Sequence, residues 1–157
     1  MAESYILNTD GASRGNPGPC GVGFVLYNND GANLNAKMSG GACIGVTTNG
    51  QAEYQGLIWG LQNALAFGVQ NIEVRADSEF MVKQLNGEYR VKNIGIKPLY
   101  EQASMILQEF KSTKIVHVMR EENALADALC NEALDKNADV GDFLVPYSSG
   151  DLFGGIF

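Results

Sequence analysis

The alternation of apolar and polar positions divides the chain into strands first and alternating helices and strands afterwards. Residues 5–9 carry an apolar strand pattern that stops at Asp10. The Gly- and Pro-rich stretch Gly11-Ala12-Ser13-Arg14-Gly15-Asn16-Pro17-Gly18-Pro19 then predicts a loop. Residues 21–27 predict a second strand, the Asn28-Asn29-Asp30-Gly31 cluster a hairpin turn, and residues 33–44 a third strand, which together make an antiparallel meander. Thr48 suits a helix N-cap, and Ala52, Leu57, Ile58, Leu61, Ala64 and Leu65 keep helical spacing until Gly68 stops the helix. Residues 71–76 predict a strand ending at Asp77, with Ser78 opening a short helix to Leu85. Pro98 starts a longer helix to about residue 110, residues 114–119 form a last strand, and residues 122–134 a last helix. A right-handed crossover through the Thr48 helix would lay the strands ending in Asp10 and Asp77 side by side in parallel, so the class is α/β.

Composition sets the scale of this picture. A chain of 157 residues with 45% hydrophobic and 18% charged content suits one domain with one core, here residues 1–140, followed by a C-terminal tail, residues 141–157. The start Met1-Ala2-Glu3-Ser4 is polar and acidic, and no stretch approaches ~18 apolar residues, so a soluble, cytoplasmic, monomeric protein without membrane contact is expected. Cys20, Cys43 and Cys130 contain no CxxC pair, which predicts reduced thiols and neither a disulfide framework nor a zinc site. A net charge of -7 argues against binding nucleic acid by bulk electrostatics, yet a local basic patch can coexist with an acidic remainder. Arg90, Lys92 and Lys97, with Lys83 nearby, are the densest basic cluster; a backbone-tracking patch and an ordinary solvated surface are both open for it.

The chemistry lies in the acids. Parallel pairing brings Asp10 and Asp77 to one sheet edge, Glu53 falls in the first turns of the crossover helix, and Asp127 falls in the first turns of the last helix. Singly, each is more often a cap or solvated surface. Together, four carboxylates repel unless hard cations sit among them; oxygen ligands suit magnesium or manganese, and two ions can clamp a phosphodiester. The implied reaction class is metal-assisted phosphoryl hydrolysis.

The surrounding words point further. Thr9-Asp10-Gly11-Ala12-Ser13, Asn16-Pro17-Gly18-Pro19, Thr47-Thr48-Asn49-Gly50-Gln51-Ala52-Glu53-Tyr54, Ala76-Asp77-Ser78 and Arg120-Glu121-Glu122-Asn123-Ala124-Leu125-Ala126-Asp127 resemble, in order and spacing, the ribonuclease H type 1 family over residues 5–134. The resemblance implies a five-stranded mixed sheet flanked by helices and an endonuclease that hydrolyses the RNA strand of RNA/DNA hybrids. It assigns Asp10, Glu53, Asp77 and Asp127 to two Mg2+ or Mn2+ ions in the substrate complex. Two rivals are a hybrid-binding module without catalysis and another ribonuclease H-like nuclease that joins or resolves DNA.

Substrate contacts follow on the same footing. Only the ribose 2'-OH separates RNA from DNA at a given position. Gly11 and Gly15 let backbone groups approach a strand, and Asn16 offers both a donor and an acceptor. By resemblance, Asn16 and the backbone at Ala12 and Ser13 contact RNA, and Glu53 reaches a 2'-OH. Thr48 lies on a DNA phosphate and Asn49 at the minor-groove edge of a base. Gly50 stands where many bacterial members carry a second Asn, which shifts that contact to Gln51 or removes it. The basic helical handle of some bacterial members is missing, since residues 86–98 run directly into the next helix, as in the shorter archaeal and plant-like branch; Arg90 and Lys92 are then left to track the DNA backbone.

Two auxiliary groups and the tail remain. His117, ten positions before Asp127, lies near where bacterial members place a histidine that helps product leave, but Ile115-Val116-His117-Val118-Met119 predicts a strand and a satisfied structural histidine. Arg120 ranks above it, as a cation beside the scissile phosphate or leaving group. In the tail, Phe143, Val145, Leu152, Phe153 and Ile156 are expected to pack back on the domain, the alternative being a docking peptide for a replication protein.

Overall fold

The computed structural model describes residues 3–30 and 34–148. The chain opens with the antiparallel meander β1 (Ser4–Ser13), β2 (Gly18–Asn29) and β3 (Leu34–Thr47), then forms α1 (Asn49–Phe67), β4 (Asn71–Ala76), α2 (Glu79–Leu85), α3 (Lys97–Leu107), β5 (Ser112–His117), a 3-10 turn at Arg120–Asn123, α4 (Ala124–Lys136) and β6 (Val140–Asp142). The sheet order is β5-β4-β1-β2-β3-β6, with β1, β4 and β5 parallel and the other pairs antiparallel. Gly31 of the hairpin signal lies outside the described residues.

The sheet has six strands where five were expected. The sixth, β6, pairs with β3 from Gly41↔Val140 to Ser39↔Asp142, and its three residues are too few to show a period of two. The boundary expected between residues 140 and 141 falls inside this strand. β5 begins two residues before its apolar run because its register is set by β4, from Asn71↔Ser112 to Ala76↔His117.

Helices cover both faces of the sheet. A Cβ on Gly60 of α1 would meet Leu7, Phe24 and Thr9 side chains at 3.2 Å, whereas one on Gly23, adjacent to Phe24, would meet the Ala126 carbonyl of α4 at 2.3 Å. Neighbouring strand residues point to opposite faces, so α1 and α4 sandwich the sheet. Thr48 caps α1 reciprocally with Gln51, and Gly68, at φ 95°, closes it with N–H donations to the Ala64 and Leu65 carbonyls.

Trp59 of α1 is fully buried and makes edge contacts with Phe24, Phe143 and Tyr147, at centroid distances of 4.9, 5.2 and 6.1 Å. Its Nε1 donates to the Val145 carbonyl at 2.6 Å. The buried Asn63, one turn on, donates to the same carbonyl at 3.1 Å and accepts from the Leu144 and Val145 N–H groups at 2.9 and 2.8 Å. Residues 143–147 are thus strapped to α1; Leu152, Phe153 and Ile156 lie outside the described residues. Asn63→Ala strips the Leu144 and Val145 N–H groups of their acceptor, leaves the Val145 carbonyl with Trp59 alone, and should cost about 2–4 kcal/mol. That corresponds to a melting temperature lower by roughly 5–15 °C in a thermal scan. A change below about 2 °C would show that the strap does not stabilise the domain.

Candidate active site

The parallel β1–β4 ladder stops at Thr9↔Ala76, one residue short of Asp10 and Asp77, so both acids emerge where that pairing ends. Glu53 joins them because α1 comes unusually close to β1. A Cβ on Gly11 would lie 2.2 Å from the Ala52 backbone, and one on Gly56 would lie 2.4 Å from the Asp10 carbonyl, so larger residues at either position would push the helix away. The Gly11 N–H donates to Asp10 Oδ1 at 2.9 Å and to Glu53 Oε1 at 3.0 Å, binding both carboxylates to one amide. Oxygen atoms of Asp10, Glu53 and Asp77 lie within 4.8 Å of one another. Asp127, in the first turn of α4, lies outside that group of three, but its charge acts on Asp10.

This crowding is electrostatically costly. Burial, then the charges of Asp77 and Asp127, push the Asp10 carboxyl up to about 8 from an ordinary 3.8. Burial raises Glu53 well above the carboxylate range, with Asp10 and Asp77 adding to it. Burial also raises Asp77, opposed by the positive charge of Arg120. An all-oxygen donor set, two members buried and destabilised as anions, fits hard divalent cations. Arg120 is exposed at the start of the 3-10 turn, and its charge acts on both Glu53 and Asp77.

The loop after β1 and the start of α1 are bonded to each other. Asn49 N donates to Asn16 Oδ1 at 3.0 Å, and Ser13 N donates to Asn49 Oδ1 at 3.3 Å. Because both side-chain oxygens accept, both amide NH2 groups remain as donors. Ala12 and Ser13 extend β1, paired with Gly21 and Cys20. Gln51 is spent internally: its oxygen takes Thr47 Oγ1 and the Thr48 groups, and its Nε2 donates to the Gly95 carbonyl at 3.3 Å. These bonds hold Gln51 to the fold, so it is poorly disposed to reach a base edge in place of a side chain at Gly50.

A groove of about 840 Å3 runs from Glu53 and the Thr48–Asn49 corner to Arg90 and Lys92. Its wall carries two aromatics that the sequence motifs miss, Phe80 and Tyr89, which are 61% and 42% exposed with ring centroids 5.5 Å apart. Lys83 Nζ stands 5.1 Å over the Tyr89 ring. A signal for Phe80 exists in its spacing, since it sits off the apolar stripe formed by Met81, Val82 and Leu85. His117 requires a correction. It lies in the last strand as expected, but that strand ends at His117 instead of running to residue 119, β5 is an edge strand and the imidazole is exposed, without a hydrogen bond or ion pair among the described residues; it is not a satisfied core histidine. The cysteines are free thiols, Cys20 and Cys130 buried and Cys43 half-buried. Among the described residues, no helix is long and apolar enough to cross a membrane.

Comparison with known proteins places this geometry. Residues 8–133 match the family model described as reverse transcriptase-like. The chain is 46% identical over 126 residues to ribonuclease HI of Halobacterium salinarum, covering 80% of this chain and 62% of that one. The crystal structure of RNase H1 from the same archaeon superposes with a TM-score of 0.81 at 44% identity, over 85% of this chain and 98% of that one. The chain belongs to the ribonuclease H type 1 family. Among other ribonuclease H structures, the N-terminal RNase H domain of a bifunctional Mycobacterium tuberculosis protein matches at 37% identity and TM-score 0.79, over 86% of this chain and 96% of that domain. LC11-RNase H1, crystallised with an RNA/DNA hybrid, matches at 41% identity and TM-score 0.78, over 85% and 98%. The chain spans 62% of the full Halobacterium protein and 36% of the full mycobacterial one.

Proposed function

We propose that this ribonuclease H type 1 chain is an endonuclease that hydrolyses the RNA strand of RNA/DNA hybrids with two Mg2+ or Mn2+ ions held by Asp10, Glu53, Asp77 and Asp127. The observation that carries the reading is the meeting of Asp10, Glu53 and Asp77 within 4.8 Å, with the charge of Asp127 acting on Asp10, beside a groove lined by Thr48, Asn49, Arg90 and Lys92. When bound, such ions supply an activated water and charge neutralisation at the leaving oxygen. The chain supplies the rest. The Gly11 N–H fixes the carboxylates of Asp10 and Glu53, and Arg120 brings a cation toward the scissile phosphate. Asn16, locked to Asn49, presents its NH2 to the ribose 2'-OH, while Glu53 borders the same strand. Asn49 presents a donor to the minor groove, where every base pair shows acceptors, so reading is independent of sequence. Thr48, Arg90 and Lys92 suit the phosphates of the DNA strand, with Phe80 and Tyr89 packing on its sugars and bases. Free thiols suit a reducing compartment such as the cytoplasm.

Gel assays on labelled hybrid, duplex RNA and duplex DNA test the substrate class. Cleavage of hybrid with duplex DNA untouched is expected; binding without cutting would leave a hybrid-binding module, and cutting of duplex DNA would leave a DNA nuclease. The auxiliary groups separate by mutation. Arg120→Ala should lower turnover by more than about tenfold, the ~1.4 kcal/mol of a charge-assisted contact, with a smaller change in KM. His117→Ala, exposed as it is, should keep turnover within about threefold and the melting temperature within about 2 °C. The reverse pattern in steady-state kinetics would transfer the auxiliary role to His117.

A further inference from the structure

Asn123 ends the 3-10 turn and stands at the N-cap of α4. Asn is favoured there because its side-chain oxygen normally accepts an N–H from the first helical turn. Here it makes no such bond. Instead the residue is 1% exposed and its side chain is turned to the sheet. Nδ2 donates to the Thr9 carbonyl at 2.8 Å, and Oδ1 accepts from Asn8 Nδ2 at 3.2 Å. Asn8, also buried, donates in addition to the Glu122 carbonyl at 3.3 Å. The Asn123 side chain also favours the ionised form of the Asp77 carboxyl.

One buried amide therefore ties the start of α4 to β1 just before Asp10. Thr9 immediately precedes Asp10, Asp77 follows the last residue of β4, and Asp127 comes one turn after Asn123 in α4. The cap is forgone in favour of this junction. We propose that Asn123 is a positioning residue that, through Thr9 and Asn8, holds the start of α4, and with it Asp127, against the end of β1 in the arrangement that binds divalent cations. This rests on the metal-dependent reading above. Groups behind metal ligands commonly change metal affinity by about 10–100-fold when removed.

The test compares Asn123→Ala, Asn8→Ala and the remote destabilised variant Asn63→Ala, each titrated with Mn2+ without substrate. The metal midpoint is read by isothermal titration calorimetry and the melting temperature by thermal scans with and without metal, with hybrid affinity measured separately in EDTA by fluorescence anisotropy. Asn123→Ala should need at least about tenfold more metal, Asn8→Ala about threefold more, and Asn63→Ala no more than the unsubstituted protein. Hybrid affinity in EDTA should be unchanged in all three. A lower melting temperature with an unmoved metal midpoint in Asn123→Ala would make the residue merely structural and overturn the proposal. Should Asn123→Ala not fold, the midpoint of Asn8→Ala decides in the same way. An unsubstituted protein without any metal-induced rise overturns the metal-dependent reading together with this one, whereas a normal rise and an unmoved Asn123→Ala midpoint overturns this one alone.

Discussion

Asp10→Asn and Glu53→Gln are each expected to reduce hybrid cleavage by about a thousandfold or more while raising the melting temperature of the metal-free protein at pH 8. The catalytic loss follows because each carboxylate is a ligand of the proposed ion pair, and several kcal/mol of transition-state stabilisation go with it. The gain in stability follows from the crowding. With its folded-state value at about 8 and its ordinary value at 3.8, Asp10 costs folding free energy wherever the unfolded chain would ionise it. The sign is that of a raised carboxyl: its favourable contribution is full below about pH 4 and is lost as pH rises toward 8. Metal-free protein should therefore melt at progressively lower temperature from pH 5 to pH 8, and Asp10→Asn should flatten that slope. Each kcal/mol recovered corresponds to about 2–4 °C in a domain of this size. Near-normal cleavage by either variant would remove these residues from the metal site. An unchanged pH slope in Asp10→Asn would remove the repulsion argument.

Replacing a central block of ribonucleotides in the RNA strand by 2'-deoxy residues is expected to abolish cutting within the block and to leave cutting outside it. The physical basis is the bonded corner of Asn16 and Asn49, which leaves two NH2 groups as donors, with Asn49 lining the same groove as Glu53. A site built around a 2'-OH has no partner for its polar groups when that hydroxyl is absent, while the phosphates and sugars elsewhere still seat the duplex. Denaturing gels of end-labelled strands resolve the cut positions. Uniform cutting across the deoxy block would show that the corner does not read the ribose.

The parts of the site visible in the sequence are those fixed by local pattern. Asp10 and Asp77 each follow an apolar run, so their position at strand ends is written in the period of two, and parallel pairing follows from the crossover. The approach of Glu53 to Asp10 depends on Gly11 and Gly56, and a glycine in a sequence does not announce which backbone will occupy its missing side chain. β1 runs on to Ser13 through residues with no apolar period because β2 continues to pair with it. His117 carries a strand pattern, but periodicity does not tell an edge strand from a central one, and that distinction decides its exposure. Asn123 falls inside the helix expected over residues 122–134; only the packing of the 3-10 turn on β1 starts α4 after it and turns its amide inward. Phe80 lies in α2 and Tyr89 in the irregular segment just after it, where no periodicity shows that the two rings meet in one wall.

The central claim is metal-dependent cutting of one strand, and a hybrid carrying different dyes on its RNA and DNA strands tests it in one tube. Incubated with Mg2+ or Mn2+, the protein should shorten the RNA and leave the DNA full-length, with no product in EDTA or from Asp10→Asn. Shortened DNA, or RNA cleavage that survives chelation, would contradict the account.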